Sequence, residues 1–161
     1  MVDKFIKLFS GYEGDFGIAD MSKATLDYEK NKLKPDYEWS GRPITTIDYQ
    51  NHIKGNISIG IQPCKLNKTA QFGCIDIDPK NYAEFKTEKY LALFAQYKLP
   101  LVPLMSKSGG LHCYLFLKEP IPTPDLIEAL KSFLLPLGLK PSTEILLIYL
   151  ITIMVKHTGM Q

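Results

Sequence analysis

The pattern of apolar and polar positions is clearest between residues 44 and 138 of this 161-residue chain. Residues 57–61 and 72–78 are short, largely apolar runs of the kind that form strands, and residues 67–71 between them are polar and turn-like. We therefore expect a hairpin that leads into a buried strand. The second of these runs ends in two carboxylates separated by one apolar residue.

A second hairpin is predicted by the apolar runs Leu101–Met105 and Leu111–Leu117, which flank the tight, glycine-containing turn Ser106–Gly110. Thr123 is expected to cap the helix that follows, with Pro124 at its first helical position. This part of the chain therefore predicts strand, turn, strand and helix in that order.

Three further segments place apolar residues at helical spacing. Residues 3–9 and 44–52 predict short helices, and residues 81–97 predict an amphipathic helix that Pro100 closes. Residues 11–43 have only weak periodicity, and we interpret them as mostly irregular. The complete order of elements predicts an α+β fold, in which helices pack on a largely antiparallel sheet.

Composition narrows the class of protein without deciding its function. A formal net charge of +2 neither requires nor excludes a nucleic-acid partner. The three cysteines lack the spacing of a zinc module or a disulfide framework, so we expect a cytoplasmic protein. The N-terminus has no long apolar stretch, so we expect no secretory signal. The apolar run 145–155 is too short for a membrane helix, which requires about 20 residues, and we expect no membrane association.

Two carboxylates end the strand predicted at residues 72–78. Asp76 and Asp78 are separated by one residue, and because side chains alternate along a strand, both project from the same face. Paired carboxylates of this kind suit Mg²⁺ or Mn²⁺ in enzymes that transfer phosphoryl groups. The alternative is a solvated strand end before Pro79, since an Asp-x-Asp sequence often arises by chance.

The turn at residues 106–110 has the composition of a phosphate-binding loop. Its two glycines, Gly109 and Gly110, allow backbone N–H groups to approach a ligand, and Lys107 adds a positive charge. His112 follows in the next strand and could donate a hydrogen bond to the same ligand. The alternative is an ordinary glycine hairpin with a surface histidine.

These motifs, in this order, resemble those of a known family. Residues 76–78 resemble the first motif of archaeo-eukaryotic primases, and residues 106–116 resemble their second motif, of the Ser-x-His type. Residues 52–55 and 59–63 resemble the segment that precedes the acidic motif in primase-polymerase domains of TOTE conflict systems and of CRISPR-associated and phage-encoded members.

The resemblance implies an RRM-like antiparallel sheet with packed helices, joined to an N-terminal α/β unit. It implies metal ligation by Asp76 and Asp78, with Glu144 as the candidate for the third acidic residue of the family. The residues implied to bind the nucleotide are Lys107, Ser108, Gly109, Gly110 and His112. Weaker candidates for contact with template or triphosphate are Arg42, His52 and Lys54.

The resemblance also predicts how the chain is divided. We expect a primase-polymerase domain at residues 1–145, with an N-terminal part at 1–70 and a catalytic RRM-like part at 71–145. Residues 146–161 form an atypical apolar tail in which the resemblance stops. The C-terminal end is therefore expected to be truncated or altered relative to the family.

The implied function is that of a DNA primase or primase-polymerase. Such an enzyme joins ribonucleoside or deoxyribonucleoside triphosphates on a single-stranded DNA template with two Mg²⁺ or Mn²⁺ ions, in replication, repair or mobile-element defence. A helicase or accessory domain is an expected partner. One alternative is an inactive module of the same fold that binds single strands through stacked Tyr114 and Phe116. Another is a metal-dependent nuclease or hydrolase using the same carboxylates.

Overall fold

The protein forms two compact units in the computed structural model. The structure describes residues 1–27, 32–82, 84–106, 109–146 and 151–153. The first unit contains residues 1–62 and the C-terminal segment from residue 150, and the second contains residues 63–149. The sequence placed the division at residue 70, and the assignment of functional parts to the chain stays a prediction.

In the described part of the chain, each α-helix is followed by two strands. In order, they are α1 (Val2–Leu8), β1 (Gly17–Asp27), β2 (Lys32–Trp39), α2 (Thr46–Ile53), β3 (Ser58–Ile61), β4 (Thr69–Ile77), α3 (Thr87–Tyr97), β5 (Val102–Met105), β6 (Leu111–Pro122), α4 (Thr123–Ser132), β7 (Glu144–Leu146) and β8 (Ile151–Ile153). No helix in the described part of the chain is long and apolar enough to cross a bilayer.

The second unit contains a four-stranded antiparallel sheet with the strand order β5-β6-β4-β7. Along the chain its elements run β4, α3, β5, β6, α4 and β7, which is strand, helix, strand, strand, helix, strand. This is the ferredoxin-like arrangement that RRM domains share. The predicted α+β class, with an RRM-like antiparallel sheet and packed helices, is therefore confirmed.

Both helices of the second unit pack on one face of its sheet. Tyr90 and Phe94 of α3 lie four residues apart, as do Leu126 and Leu130 of α4, so each pair projects from one side of its helix. All four side chains are buried in a single core with apolar residues of β4 and β6. Because side chains alternate along a strand, the intervening residues of β4 project from the opposite face.

The first unit has its own antiparallel sheet, with the strand order β2-β1-β3-β8. The interpretation of residues 11–43 as mostly irregular was wrong, because β1 and β2 form a long hairpin there. Leu33, Tyr37 and Trp39 alternate with charged residues along β2, which is the period-2 pattern of a strand, and the sequence analysis did not recognise it. Tyr37 and Trp39 are about half exposed. Pro35 also lies in β2, and the edge of a sheet is where proline is tolerated.

The predicted hairpin between residues 57–61 and 72–78 was also wrong. Strand β3 pairs with β1 and β8, whereas β4 pairs with β6 and β7. The two apolar runs were correctly identified as strands, but an apolar run does not specify its partner. Adjacency in sequence suggested a pairing that the structure does not contain.

Most helices and the second hairpin follow the prediction. Helices α1 and α2 lie at the predicted positions, and β5 and β6 form the expected antiparallel pair. Helix α3 begins at Thr87 rather than residue 81, after a 3₁₀ turn at Pro79–Asn81. Thr123 does not cap α4, since Pro122 is the N-cap and the Thr123 hydroxyl donates instead to the Lys68 carbonyl oxygen at 3.0 Å.

Candidate active site

Three polar side chains lie side by side across the sheet of the second unit. Asp76 in β4 is paired in register with His112 in β6 on one side and with Glu144 in β7 on the other. Residues directly opposite each other in antiparallel strands share a face, with Cβ atoms about 5 Å apart. The fold therefore collects, from three distant parts of the chain, a row of residues that we call the carboxylate row: Asp76, His112 and Glu144.

The electrostatics of the carboxylate row centre on Asp76. Its Oδ1 lies 3.6 Å from Nε2 of His112, and about a quarter of each side chain is exposed. Burial is the largest influence on Asp76 and raises the pKa of its carboxyl group; the charge of His112 lowers it, and those of Glu144 and Asp78 raise it. Ionised Asp76 is thus disfavoured by its surroundings, and an additional cation would relieve this.

Asp78 follows at the end of β4 with an extended backbone, which keeps the strand alternation and directs its side chain to the same face as Asp76. Its Oδ1 accepts a hydrogen bond from the backbone N–H of Lys80 at 3.1 Å, and its Oδ2 lies 2.6 Å from Nζ of Lys80. Both carboxylate oxygens are therefore held by a residue that the sequence analysis did not select.

The donor atoms at this site have the chemistry of a hard-cation site. Asp76, Asp78 and Glu144 offer carboxylate oxygens, the ligands that Mg²⁺ and Mn²⁺ prefer. Within the described residues, no group of three or more His, Cys, Asp and Glu side chains is close enough together to hold a metal ion as it stands. The donor set fits such an ion, and metal ligation by these residues stays a prediction.

The turn that precedes β6 is closed by hydrogen bonds of its own. Ser106 N–H donates to the Gly110 carbonyl at 2.8 Å, and Gly109 N–H donates to the Ser106 carbonyl at 3.1 Å. Gly110 N–H donates to the Ser106 hydroxyl at 3.0 Å. The two glycine N–H groups that were expected to approach a phosphate are thus used inside the turn. Lys107 and Ser108 lie outside the described residues, so their predicted contact with nucleotide stays a prediction.

Glycine is required at both positions for different reasons. Gly109 has φ of +85°, a conformation that residues with a side chain rarely adopt. A Cβ on Gly110 would collide with the carbonyl oxygen of Ile77 and lie 2.8 Å from Cδ of Pro79. The turn is therefore packed directly against the end of β4, beside the two aspartates.

Most of this arrangement lies within the range of a known protein family. The family model described as "TOTE conflict system, Archaeo-Eukaryotic Primase domain" matches residues 3–141. The chain belongs to the archaeo-eukaryotic primase family. No curated protein matches it. The match ends before Glu144, so what relates Glu144 to the site is its pairing with Asp76.

In this primase domain, the carboxylate row extends to an apolar residue at the sheet edge. Leu104 of β5 is paired with His112, and Val102 is paired with Tyr114. Leu104 and Val102 are each 46% exposed. The sequence analysis did not predict that these two apolar side chains would be exposed, because an apolar residue in a strand normally indicates the core. The available signal was their spacing of two residues in the strand before the glycine turn, which places them on one face.

Tyr114 and Phe116, the aromatic pair proposed to stack on the bases of a single strand, stack on each other instead. The rings of Tyr114 and Phe116 are stacked on each other, with centroids 5.6 Å apart and planes 11° apart. Tyr114 is only 2% exposed, and burial raises the pKa of its hydroxyl. The prediction that Tyr114 stacks on a nucleic-acid base was wrong, because its ring is packed inside the protein.

Arg42, one of the weaker candidates for nucleic-acid contact, lies in the first unit of the primase domain. Its two terminal nitrogens donate to the two carboxylate oxygens of Asp48 at 2.6 and 2.8 Å, and its guanidinium lies 5.0 Å from the centre of the Phe16 ring. This bidentate geometry indicates a structural ion pair. Contact of Arg42 with template or triphosphate stays a prediction that the structure does not favour.

His52 and Lys54 lie in the same unit, at the end of α2. His52 is 1% exposed, and its Nδ1 lies 3.1 Å from the Ile57 carbonyl oxygen. Burial lowers the pKa of its imidazole. This burial does not favour contact of His52 with template or triphosphate, which stays a prediction. Lys54 is exposed, and its predicted role is untested.

Replacement of Asp48 by alanine should lower the free energy of unfolding by about 2 kcal/mol. The change removes the ion pair with Arg42 and the hydrogen bond that Asp48 accepts from Thr45 N–H at the start of α2. The measurement is thermal or denaturant unfolding at pH 7. Asp36→Ala, which changes an exposed residue of β2, is the control. An equal loss in both variants would contradict the structural role of the ion pair.

The same contacts predict how this difference depends on pH. Hydrogen bonding to Arg42, the largest influence, lowers the pKa of Asp48 from 3.8 to about 2. A carboxyl group with a lowered pKa stabilises the fold fully above its ordinary pKa and loses this contribution as pH falls through the lowered value. The stability difference between wild type and Asp48→Ala should therefore be constant at pH 5–7 and shrink between about pH 4 and 2.

Proposed function

We propose that this primase domain is a template-directed nucleotidyltransferase, a DNA primase or primase-polymerase that joins nucleoside triphosphates on single-stranded DNA. The family match supports the primase-like nucleotidyltransferase superfamily. The observation that carries the finer proposal is the carboxylate row, in which Asp76 is flanked in register by His112 and Glu144. Acidic residues beside a basic hydrogen-bond donor suit a metal-bound triphosphate.

The acidic residues would hold the metal ions. Asp76, Asp78 and Glu144 offer oxygen ligands at one end of the sheet, and we propose that they bind Mg²⁺ or Mn²⁺. When bound, such ions lower the pKa of an attacking 3′-hydroxyl and neutralise charge on the departing pyrophosphate. The raised pKa of Asp76 is consistent with this role, because burial, together with the charges of Glu144 and Asp78, disfavours the ionised carboxylate and a bound cation would offset that effect.

His112 would orient the triphosphate. Its Nε2 faces Asp76 at 3.6 Å while about a quarter of the side chain remains exposed, so the ring can donate a hydrogen bond to a phosphate oxygen. The turn before β6, with Lys107 and Ser108 as the predicted contacts, would bind the outer phosphates. Positioning and charge stabilisation are the main contributions that protein groups make to this reaction class.

Purified protein incubated with single-stranded DNA, labelled nucleotides and Mn²⁺ or Mg²⁺ should produce labelled oligonucleotides, and chelation of the metal should stop synthesis. Reactions with and without a primer, and with ribonucleotides or deoxyribonucleotides, identify the preferred substrates. Binding of single strands that is independent of metal, without incorporation, would instead support the inactive binding module. In a parallel reaction with end-labelled DNA, shortening of that DNA would support the nuclease or hydrolase.

A further inference from the structure

Lys80 is placed to act on the carboxylate row although it lies outside the three strands that form it. It follows Asp78 by two residues, in the 3₁₀ turn that Pro79 begins. Its ammonium lies 2.6 Å from Oδ2 of Asp78, while 72% of its side chain remains exposed. The lysine is therefore held at the site by charge and by the geometry of the turn, since burial does not confine it.

The attraction of Lys80 extends beyond its immediate partner. Its ammonium is paired with Asp78 and is also attracted by the negative charges of Asp76 and Glu144. One lysine thus responds to all three of the carboxylates that are candidates for metal ligation.

We propose that Lys80 is a tethered cation that exchanges partners when metal and nucleotide bind, an inference that rests on the proposed function above. Without metal, its ammonium balances the negative charge of the carboxylates. A divalent cation held by the carboxylates would repel the ammonium and compete with it for Asp78, so binding of the metal would favour release of the ammonium. The displaced ammonium then binds the polyphosphate of the incoming nucleotide.

Flexibility and position both suit this exchange. The side chain of lysine carries a compact charge on a four-carbon stem, so it can leave Asp78 without any movement of the backbone. The backbone N–H of Lys80 stays bonded to Oδ1 of Asp78, which keeps the stem beside the carboxylates. A nucleotide whose phosphates bind the same metal would place their negative charge within reach of the lysine.

Lys80→Gln should strengthen the binding of Mn²⁺ and weaken the binding of the nucleotide. Without nucleotide, the dissociation constant for Mn²⁺ should fall about fivefold, because a competing positive charge has been removed. In synthesis assays at saturating Mn²⁺, the KM for dATP on an oligo-dT template should rise about tenfold, with a smaller change in kcat, because a phosphate contact is lost. Lys80→Arg keeps the charge and should restore both values to near those of the wild type.

Mn²⁺ binding is measured by titration calorimetry or by the loss of the free-ion electron paramagnetic resonance signal, which needs no catalysis. Lys118→Gln, a change of an exposed lysine six residues along β6 from His112, is the control and should alter neither constant. Unchanged Mn²⁺ affinity in Lys80→Gln, or weaker binding of both ligands, would overturn the role of Lys80. If the wild type did not bind Mn²⁺, or if Asp76→Asn did not abolish that binding, the proposed function would be overturned as well.

Discussion

Asp76→Asn should reduce nucleotide incorporation by roughly a thousandfold while leaving the fold intact. Asparagine keeps the size of the side chain but removes the charge at the centre of the carboxylate row, between His112 and Glu144. A site that depends on bound cations would lose both its affinity for metal and its ability to position the triphosphate. The measurement is the rate of incorporation at saturating Mn²⁺, with circular dichroism to monitor the fold.

The same substitution should increase stability near neutral pH. Burial raises the pKa of Asp76 in the folded protein. A carboxyl group with a raised pKa stabilises the fold below its ordinary pKa and loses this contribution as pH rises through the raised value. Asp76→Asn should therefore unfold at a higher temperature than wild type at pH 7 without metal, and the difference should diminish towards pH 4.

Glu119→Gln is the matched control for Asp76→Asn, because it removes one exposed carboxylate from β6 of the same unit. It should change neither activity nor stability appreciably. Glu144→Gln should lower activity as well if the third carboxylate completes the site. Undiminished synthesis by Asp76→Asn would exclude the carboxylate row as the catalytic centre.

Gly110→Ala should also abolish most activity, and it should destabilise the second unit by about 2–3 kcal/mol. The added methyl group meets the carbonyl oxygen of Ile77 and the ring of Pro79, neither of which can move aside as a flexible side chain can. Relief of the collision requires the turn before β6 to move away from the end of β4. That movement would displace Asp78 relative to His112. Unfolding curves and the rate of incorporation measure the two effects.

Gly109→Ala provides a comparison within the same turn. No atom of the described residues lies within 4 Å of a Cβ at Gly109, so the expected cost there is that of a positive φ, about 1 kcal/mol. A smaller loss of stability and activity than in Gly110→Ala is expected. Equal effects of the two substitutions would mean that turn conformation, and not packing against β4, is what the site requires.

The sequence was most informative where local pattern and chemistry coincide. The alternation of apolar residues and carboxylates in β4 was enough to place Asp76 and Asp78 on one face, because strand geometry fixes this locally. The glycine turn and the hairpin that contains His112 were predicted for the same reason. The resemblance to archaeo-eukaryotic primases, which depended on these motifs, is confirmed by the family match.

Features that depend on partners distant in the chain were not predictable in this way. The hairpin of β1 and β2 is local and was missed for a different reason, because the alternation of Leu33, Tyr37 and Trp39 with charged residues was not recognised as a strand pattern. Glu144 was proposed from family resemblance alone, and only the register between β4 and β7 places it beside Asp76. The burial of His52 and Tyr114 was missed because both residue types are found in cores as well as at surfaces.

Within the described residues, strand β7 has three residues and lies at the edge of its sheet, where β4 is its neighbour. Short marginal strands open locally at a lower free-energy cost than the global unfolding of a protein. Each opening would withdraw Glu144 from Asp76 while the helices stay packed on β4. The local opening and closing of β7 therefore sets the fraction of molecules in which the three carboxylates lie together. A protein or a nucleic acid that held β7 in place would raise activity without contacting the substrate.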